Sequence, residues 1–412
     1  MSFSIFLTLF ALLYIYIQFC LLGRVEDLVG TFNLGEGKRR NLIRLITAFF
    51  ILINGPIIFL FFPLLRLSSY ELPEVLIYTI LYPFSVWSVG SLGAFLFLMV
   101  FDILVFISSL IYGKTKEPTV DKEPDLSRRN FIKIASNALI AIPMAGSVYG
   151  AVGEKEDYKI ERIKIPVKDL PESLNGLTIC QLTDIHLDVF FKPEDFERVI
   201  YMVEGLKPDL VFLTGDYVTS QPKLAKPCVE VLSRLKPEFG MYGCLGNHEI
   251  YARTEEIFTR EFAKKGVKIL RNESVELSIK GEKLTLMGID FIRFMDGTIK
   301  RLMNGKSLRK NPVILLSHHP NAFVEAASSG VGLTLAGHTH GGQIALKIGS
   351  ITLALARLIT PYLSGLFKKG DSYLYVSRGI GTTGPPIRLN APPEITVVEL
   401  VGSSESSSDF SS

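Results

Sequence analysis

Three things are scarce in this chain of 412 residues, and each scarcity narrows what it can do. Charge of one sign is the first. The 44 Lys and Arg are nearly matched by 41 Asp and Glu, so the net charge is only +3 and no global basic surface is offered to nucleic acid. Cysteine is the second. Cys20, Cys180, Cys228 and Cys244 show no CxxC spacing and make no disulfide framework, so buried free thiols are expected. Histidine is the third. There are six, His186, His248, His318, His319, His338 and His340, and all lie beyond residue 185. Imidazole chemistry is therefore confined to the later part of the chain.

Apolar residues are abundant. They make up 48% of the chain, and the mean hydropathy of +0.32 is high for a wholly soluble protein. They concentrate in the first 113 positions. Phe3 to Leu22 is long enough to cross a hydrocarbon core of ~30 Å as a helix. Leu45 to Leu65 is a second run, and its Asn54-Gly55-Pro56 is tolerable in a membrane helix. Leu72 to Tyr112 is too long for one straight span. Pro83 is expected to divide it into a short interfacial helix and a third span from Phe84 to Tyr112. Asp102 within that span either forms a polar site between helices or pairs near its cytoplasmic end. Ile134 to Val152 is a fourth, weaker run.

Lys and Arg cluster in 23–42 and 114–133, which assigns both loops to the cytoplasm and exports everything after residue 152. The expected order is a transmembrane helical region over 1–113 with about three spans, then a basic cytoplasmic linker over 114–133. An apolar anchor or signal-like helix follows over 134–152, a soluble domain over 153–401, and a disordered polar tail over 402–412. Ser127-Arg128-Arg129-Asn130-Phe131-Ile132-Lys133 resembles a twin-arginine export motif. No clean cleavage site follows, so the segment is expected to remain as an anchor. The expected location is the cell (inner or cytoplasmic) membrane, multi-pass, with the last domain on the extracytoplasmic side.

From Leu170 onward short β-type runs alternate with amphipathic stretches, the pattern of an α/β domain. Five strand ends carry metal-ligand residue types: Asp184-Ile185-His186, Gly215-Asp216, Gly246-Asn247-His248-Glu249, His318-His319 and Gly337-His338-Thr339-His340. Imidazole and carboxylate together suit borderline divalent ions such as Zn, Mn or Fe. The D-x-H and H-x-H spacings let two side chains leave an extended stretch on the same side. The five blocks absorb every histidine in the chain.

The order D-x-H, G-D, G-N-H-[DE], H, G-H-x-H resembles the calcineurin-like metallophosphoesterases, from about Ile165 to Val401. GLTLAGHTHGGQI and YVSRGIGTTGPPIRLNAPPEI resemble the exported, membrane-anchored branch of that family. The resemblance implies two β-sheets packed face to face and flanked by helices, an α/β/β/α sandwich behind the helical transmembrane region. It implies a binuclear centre in which Asp184, His186 and His340 hold one metal, Asn247, His318 and His338 hold the other, and Asp216 bridges both. His248 would be the catalytic residue that faces the substrate phosphate, with Glu249 orienting it, while His319 would point away. The implied reaction is hydrolysis of a phosphomonoester or phosphodiester by a metal-bridging hydroxide.

The substrate expected from this reading is a phosphoester of lipid or cell-envelope origin. Val189-Phe190-Phe191 and Ile351–Leu366 are apolar loops that either contact an amphiphile or pack the sheet edge. Arg378 and Arg388 either clamp a phosphate or brace their Gly- and Pro-rich turns. Two alternatives remain: a pyrophosphatase of a nucleotide-linked lipid precursor such as a UDP-acylglucosamine, and a membrane receptor or transport protein with a metal-binding module.

Overall fold

Among the described residues, four long helices, α1 (Phe3–Val29), α2 (Glu36–Asn54), α3 (Tyr82–Tyr112) and α4 (Leu126–Val152), make up the first part of the computed structural model. The structure describes residues 3–55, 73–112, 126–291, 297–304, 311–349 and 351–402; side chains of 3–7, 112 and 126–136 are left aside. The chain divides into two compact units, 1–152 and 153–412. Parts of the second expected span, of the basic linker and of the tail lie outside the described residues.

Helix α1 runs on past Leu22 to Val29, so Arg24, Glu26 and Asp27 belong to the helix rather than to a loop. The expected break at Pro83 is absent. A turn over Glu74–Leu76 and a π-helical segment over Ile77–Leu81 lead straight into α3. Proline lacks an N–H and crowds the carbonyl four residues back. The wide π turn, closed by the Tyr82 N–H on the Ile77 carbonyl, opens the helix where that ring needs room. Two described stretches are long and apolar enough to cross a membrane, Thr8–Val29 and Glu74–Ile111.

Within this unit α3 and α4 touch through small residues. A Cβ on Gly90 would strike Ser147 and Met144, and one on Gly93 would press on Pro143. Polar groups bind the helices from inside: the Tyr14 hydroxyl donates to Asn54 Oδ1 (2.6 Å), Gln18 Nε2 to Ser91 Oγ (2.9 Å) and Trp87 Nε1 to Gln18 Oε1 (2.9 Å). Asp102 pairs with Arg24 at 2.5 Å.

The second unit is built on two six-stranded sheets. The first has the order β1 (Lys159–Val167), β14 (Glu394–Gly402), β2 (Thr178–Leu182), β3 (Leu210–Thr214), β4 (Met241–Cys244), β5 (Lys268–Ile269). The second runs β12 (Gly365–Lys369), β13 (Ser372–Val376), β9 (Leu333–Ala336), β8 (Val313–Leu316), β7 (Glu282–Gly288), β6 (Glu273–Ile279). Strands β2 to β5 are parallel, as are β7, β8, β9 and β13. Such strands are buried on both faces and read as near-continuous apolar runs.

Period-two alternation sorts the faces. Ile179, Leu210 and Phe212 point between the sheets, where they meet Leu284, Leu286, Ile314, Leu316 and Leu335. Cys180, Leu182, Val211 and Leu213 point outward onto α5 (Pro193–Leu206), α6 (Ala225–Leu232) and, beyond the short α7 (Asn247–Ala252), α8 (Glu255–Lys264). On the far side Met287 and Leu315 pack against α9 (Thr298–Met303) and α10 (Phe323–Ser329). The unit is thus an α/β/β/α sandwich. All four cysteines are free thiols, three of them buried, and burial pushes the Cys180 thiol up to about 12.

Candidate metal centre

Each candidate residue lies just beyond the C-terminal end of a strand. Asp184 and His186 follow β2, Asp216 follows β3, and Asn247 and His248 follow β4 and open α7. His318 follows β8, and His338 and His340 follow β9. These are neighbouring strands in each sheet, so the ends of five strands, β2, β3, β4, β8 and β9, bring both sheets' candidate residues to one spot. Backbone bonds lace the loops together: Asp184 N–H to Gly215 O (3.0 Å), His186 N–H to Asp216 O (3.0 Å) and Gly337 N–H to His318 O (3.1 Å). Below them Gln181 Nε2 bolts sheet to sheet, donating to Thr214 Oγ1 and Ala336 O (both 2.9 Å).

The backbone here is strained. Asp184 (φ 50°), His186 (50°), Asp216 (55°), His338 (73°) and His340 (52°) are all left-handed. Each costs an L-residue ~1–3 kcal/mol and persists only where the surroundings impose it. Two glycines make the approach possible. A Cβ on Gly246 would collide with the Asp216 carboxylate, and one on Gly337 with that of Asp184.

The donor atoms converge in three groups: Asp184, His186 and His340; His186, Asp216 and His248; and Asp216, His318 and His338. Asp216 Oδ2 lies 3.0 Å from His318 Nε2 and 3.4 Å from His186 Nε2. Asp184 Oδ1 is 3.3 Å from His340 Nε2. The Nε2 atoms of His340 and His186 are 3.1 Å apart, and His338 Nδ1 is 3.2 Å from His318 Nε2. His318 and His248 turn Nδ1 to backbone carbonyls, Thr214 O (2.8 Å) and Thr219 O (2.6 Å), leaving Nε2 toward the centre.

The electrostatics are those of a site built around positive charge. Burial disfavours an imidazolium at His318, yet the Asp216 and Asp184 carboxylates outweigh it and push the ring up to about 10. Burial would raise Asp216, but His318 and His186 hold it well below the usual carboxylate range. Burial and the charge on His318 depress His338, and burial and His186 depress His340. The two carboxylates that face His318 are thus negative charge that a bound cation would balance. Among the described residues Asn247 Oδ1 is buried with no hydrogen-bond partner, the signature of an oxygen waiting for a ligand. The donor set, two carboxylates, one amide oxygen and imidazoles, fits divalent cations of the borderline class.

Two expectations need revision. Glu249 does not touch the His248 ring. Its carboxylate accepts the N–H groups of Gly246 (2.7 Å), Tyr217 (2.8 Å) and Asp216 (2.9 Å), so it fixes the loop that carries Asp216. Burial, together with the Asp216 charge, raises it to about 7. The group that orients His248 is Thr219, whose sequence signal is only its place three residues after Asp216. His319 does not point clear of the site: its Nδ1 accepts Asn321 N–H (3.1 Å) while its ring lies 4.5 Å from that of His338. Phe291, which carried no sequence signal, borders the same rings at 5.7–6.3 Å.

Both arginines brace loops. Arg388 is fully buried, and its guanidinium donates to the carbonyls of Arg378, Gly379, Gly381 and Ala391. Arg378 donates to Pro392 O (2.9 Å) and pairs with Glu161 (2.7 Å). Of the apolar loops, Phe191 packs into the core against Phe196; in 351–366, Ile351, Leu353, Leu355, Leu358 and Ile359 are exposed while Thr360 and Leu363 are buried, and Leu346 and Ile348 just before it are exposed as well.

A model of the family described as calcineurin-like phosphoesterase matches residues 177–342, which span the whole centre. A Danio rerio protein named "Transmembrane protein with metallophosphoesterase domain" is 31% identical over 332 residues, 77% of this chain and 73% of that protein. A Bacillus subtilis protein named "Uncharacterized metallophosphoesterase YkuE" is 32% identical over 290 residues, 67% of this chain and 98% of that one. A metallophosphoesterase of Aquifex aeolicus is 32% identical over 264 residues, 61% and 96% of the two chains. With its strand-end donors gathered as described, the chain belongs to the calcineurin-like phosphoesterase family and is a metal-dependent hydrolase of phosphoric esters.

Proposed function

We propose that the protein is a membrane-anchored, multi-pass, two-metal phosphohydrolase whose domain over 153–401 works on the extracytoplasmic face. Asp184, His186 and His340 hold one cation, Asn247, His318 and His338 the other, and Asp216 serves both. The observation that carries this reading is the position of Asp216, whose Oδ2 stands between His186 and His318 of the two sets. Two divalent cations bound there, Mn, Zn or Fe, would polarise a phosphoryl oxygen and bring the pKa of water down toward ~7.

The chain's own residues do the rest. His248, held by the Thr219 carbonyl, presents Nε2 to the phosphate and supplies a proton to the departing ester oxygen. Glu249 and the left-handed loops hold the carboxylates still while charge develops. Water's oxygen bonds to phosphorus, the ester P–O bond breaks, and an alcohol leaves. The substrate is a phosphomonoester or phosphodiester of lipid or envelope origin, a reading supported by two bilayer-length helices on the same chain. The Lys and Arg bias of 23–42 and 114–133 supports the orientation. The Arg128-Arg129 pair supports export of a folded domain.

The test separates metal holding from chemistry. Asp216→Ala is expected to lose metal and all turnover. His248→Gln is expected to keep about two metals while turnover drops ~10²–10⁴-fold, less for a nitrophenyl ester whose oxygen scarcely needs a proton. Metal stoichiometry and kcat are read on both variants. If His248→Gln strips metal as fully as Asp216→Ala, His248 is a ligand and the division of roles fails.

A further inference from the structure

Immediately after the last pair of candidate ligands the chain forms a two-stranded ribbon, β10 (Leu346–Ile348) and β11 (Ile351–Leu353), followed by a 3₁₀ turn over Leu355–Leu358. The register pairs Leu346 with Leu353, Lys347 with Thr352 and Ile348 with Ile351. Alternation therefore puts Leu346, Ile348, Ile351 and Leu353 on one face and Lys347 and Thr352 on the other. In a ribbon folded against a core the aliphatic face is covered. Here all four aliphatics are exposed, and Leu355 (80% exposed), Leu358 (85%) and Ile359 (65%) extend the patch. Contiguous apolar surface of this kind marks an interaction site.

The ribbon is held firmly at its base. A Cβ on Gly342, two residues past His340, would collide with Ala354. The Thr339 hydroxyl donates to Leu363 O, and that of Thr360 to Asn321 Oδ1 (2.6 Å). Arg357 Nε donates to Thr352 O (2.8 Å), tying the turn to the strand. The wedge is thus a rim of the metal centre, fixed to the loop that carries His338 and His340.

Its chemistry selects the occupant. Residues 344–360 contain no aromatic residue, whereas the anchors of protein–protein interfaces are chiefly Trp, Tyr and Arg. No Asp or Glu lies between Glu325 and Asp371, while Lys347, Arg357, Lys368 and Lys369 fall in that interval. The ribbon and its turn themselves carry Lys347 and Arg357 and no acidic residue, and aliphatic side chains accompanied by cations match the headgroup boundary of an anionic bilayer. The same chain carries two helices of bilayer length, so a bilayer is within its reach.

We propose that residues 346–359 insert into an anionic lipid surface and present a lipid-borne phosphoester to the metal centre. The substrate class rests on the phosphohydrolase reading above; the insertion does not.

The test uses the full chain reconstituted into vesicles of phosphatidylcholine and phosphatidylglycerol. The sequence has a single tryptophan, Trp87, so Leu358→Trp in a Trp87→Phe background gives one reporter. Its emission should shift to the blue and be quenched by brominated lipid. Strong quenching by aqueous iodide, with none by brominated lipid, would overturn the insertion. Shielding from both, with a change of oligomeric state, would assign the patch to a second copy instead and also overturn it.

The second arm compares Leu355→Glu/Leu358→Glu with wild type on a panel of lipid phosphoesters in the vesicles and on p-nitrophenyl phosphate in solution. Lipid turnover should fall about tenfold or more and the soluble ester by less than about twofold, since each lost aliphatic contact is worth at least that factor. Equal rates on the lipid panel would overturn the presentation of substrate. A wild type that cleaves the soluble ester but no lipid would do the same. A wild type that cleaves neither, with its reporter quenched by brominated lipid, would sink the phosphohydrolase reading and leave the insertion standing.

Discussion

The two units of this chain are solvated in opposite ways. In residues 1–152 large apolar side chains face outward, Leu52 at 78% exposure among them, while Ser91 and Gln18 are buried with their hydrogen bonds satisfied by neighbouring helices. In residues 153–402 the order reverses. Phe196, Phe212, Phe258 and Phe262 are fully covered, and Lys and Glu occupy the helix surfaces. Composition alone does not produce this contrast, since both units hold apolar residues enough for a core. The difference lies in what each outer surface is built to meet: hydrocarbon accepts Leu and Ile without penalty but leaves polar groups to find partners inside. Among the described residues of the α/β unit, the ribbon and turn over 346–349 and 351–359 follow the rule of the helical unit, with Leu346, Ile348, Ile351, Leu353, Leu355, Leu358 and Ile359 exposed.

The largest effect expected from breaking the contrast comes from paired truncations. Phe258 sits under Tyr217, 4.9 Å between ring centroids, and beside Phe262. Phe258→Ala should destabilise the α/β unit by ~3–5 kcal/mol through lost burial and the cavity left behind. Leu52→Ala removes as bulky a group from an outward face and should change the helical unit's stability by less than ~0.5 kcal/mol in a micelle, where hydrocarbon replaces hydrocarbon. Thermal unfolding of both variants in detergent checks the pair. Comparable losses would mean that Leu52 has a protein partner and that the helical surface is not lipid-facing.

Next in size is a substitution at the centre itself. Gly337→Ala would drive a methyl into the Asp184 carboxylate and the Thr183 hydroxyl. A shift of ~1 Å in a positioned group costs roughly 10²-fold in turnover, so kcat should fall by about that factor. Gly205, near the end of α5, has nothing within 4 Å of a Cβ, and Gly205→Ala should leave kcat unchanged. The comparison of the two rates distinguishes close approach from a general dislike of alanine. A Gly337→Ala enzyme with normal kcat would show that the loop yields easily and that its strain is not functional.

Much of this was readable in the sequence, and the reason is local. Apolar runs ending in Gly and Asp mark strand ends, and five ordered blocks that absorb every histidine pointed together to Asp184, His186, Asp216, His318, His338 and His340; the extended stretch expected for D-x-H and H-x-H is instead a set of left-handed turns at Asp184, His186, His338 and His340. What was not visible depended on partners far along the chain. Glu249 was assigned to its neighbour His248, but its three bonds go to backbone N–H groups on two loops. Arg378 and Arg388 were ambiguous because bracing and phosphate binding need the same guanidinium, and only the folded loop shows its carbonyls already taking it. Pro83 misled for another reason: proline predicts a break, whereas a π turn absorbs it without one. Ile351–Leu366 reads as apolar, but which of its side chains are exposed is a property of the fold.

The smallest effect is expected where the contrast between the units fades, at the ion pair of Arg24 and Asp102. Both side chains are about half exposed, 41% and 50%. Arg24 lies in the last part of α1, in the same turns as Glu26 and Asp27, so this level of the bundle is already polar. If the pair sits at the bilayer boundary, each charge keeps access to water and headgroups, and the bond should behave like a surface salt bridge. Asp102→Asn should then lower the stability of the helical unit by no more than ~1 kcal/mol. In hydrocarbon the outcome differs in kind. Arg24 would be left unpaired at a cost of ~2.5–3.5 kcal/mol, and Arg24→Gln with Asp102→Asn together would recover most of it. Unfolding midpoints of the single and double variants in micelles read the depth directly. A small loss, unchanged in the double variant and reduced by salt, places the pair at the boundary; a large loss that the second substitution relieves places it within the apolar layer.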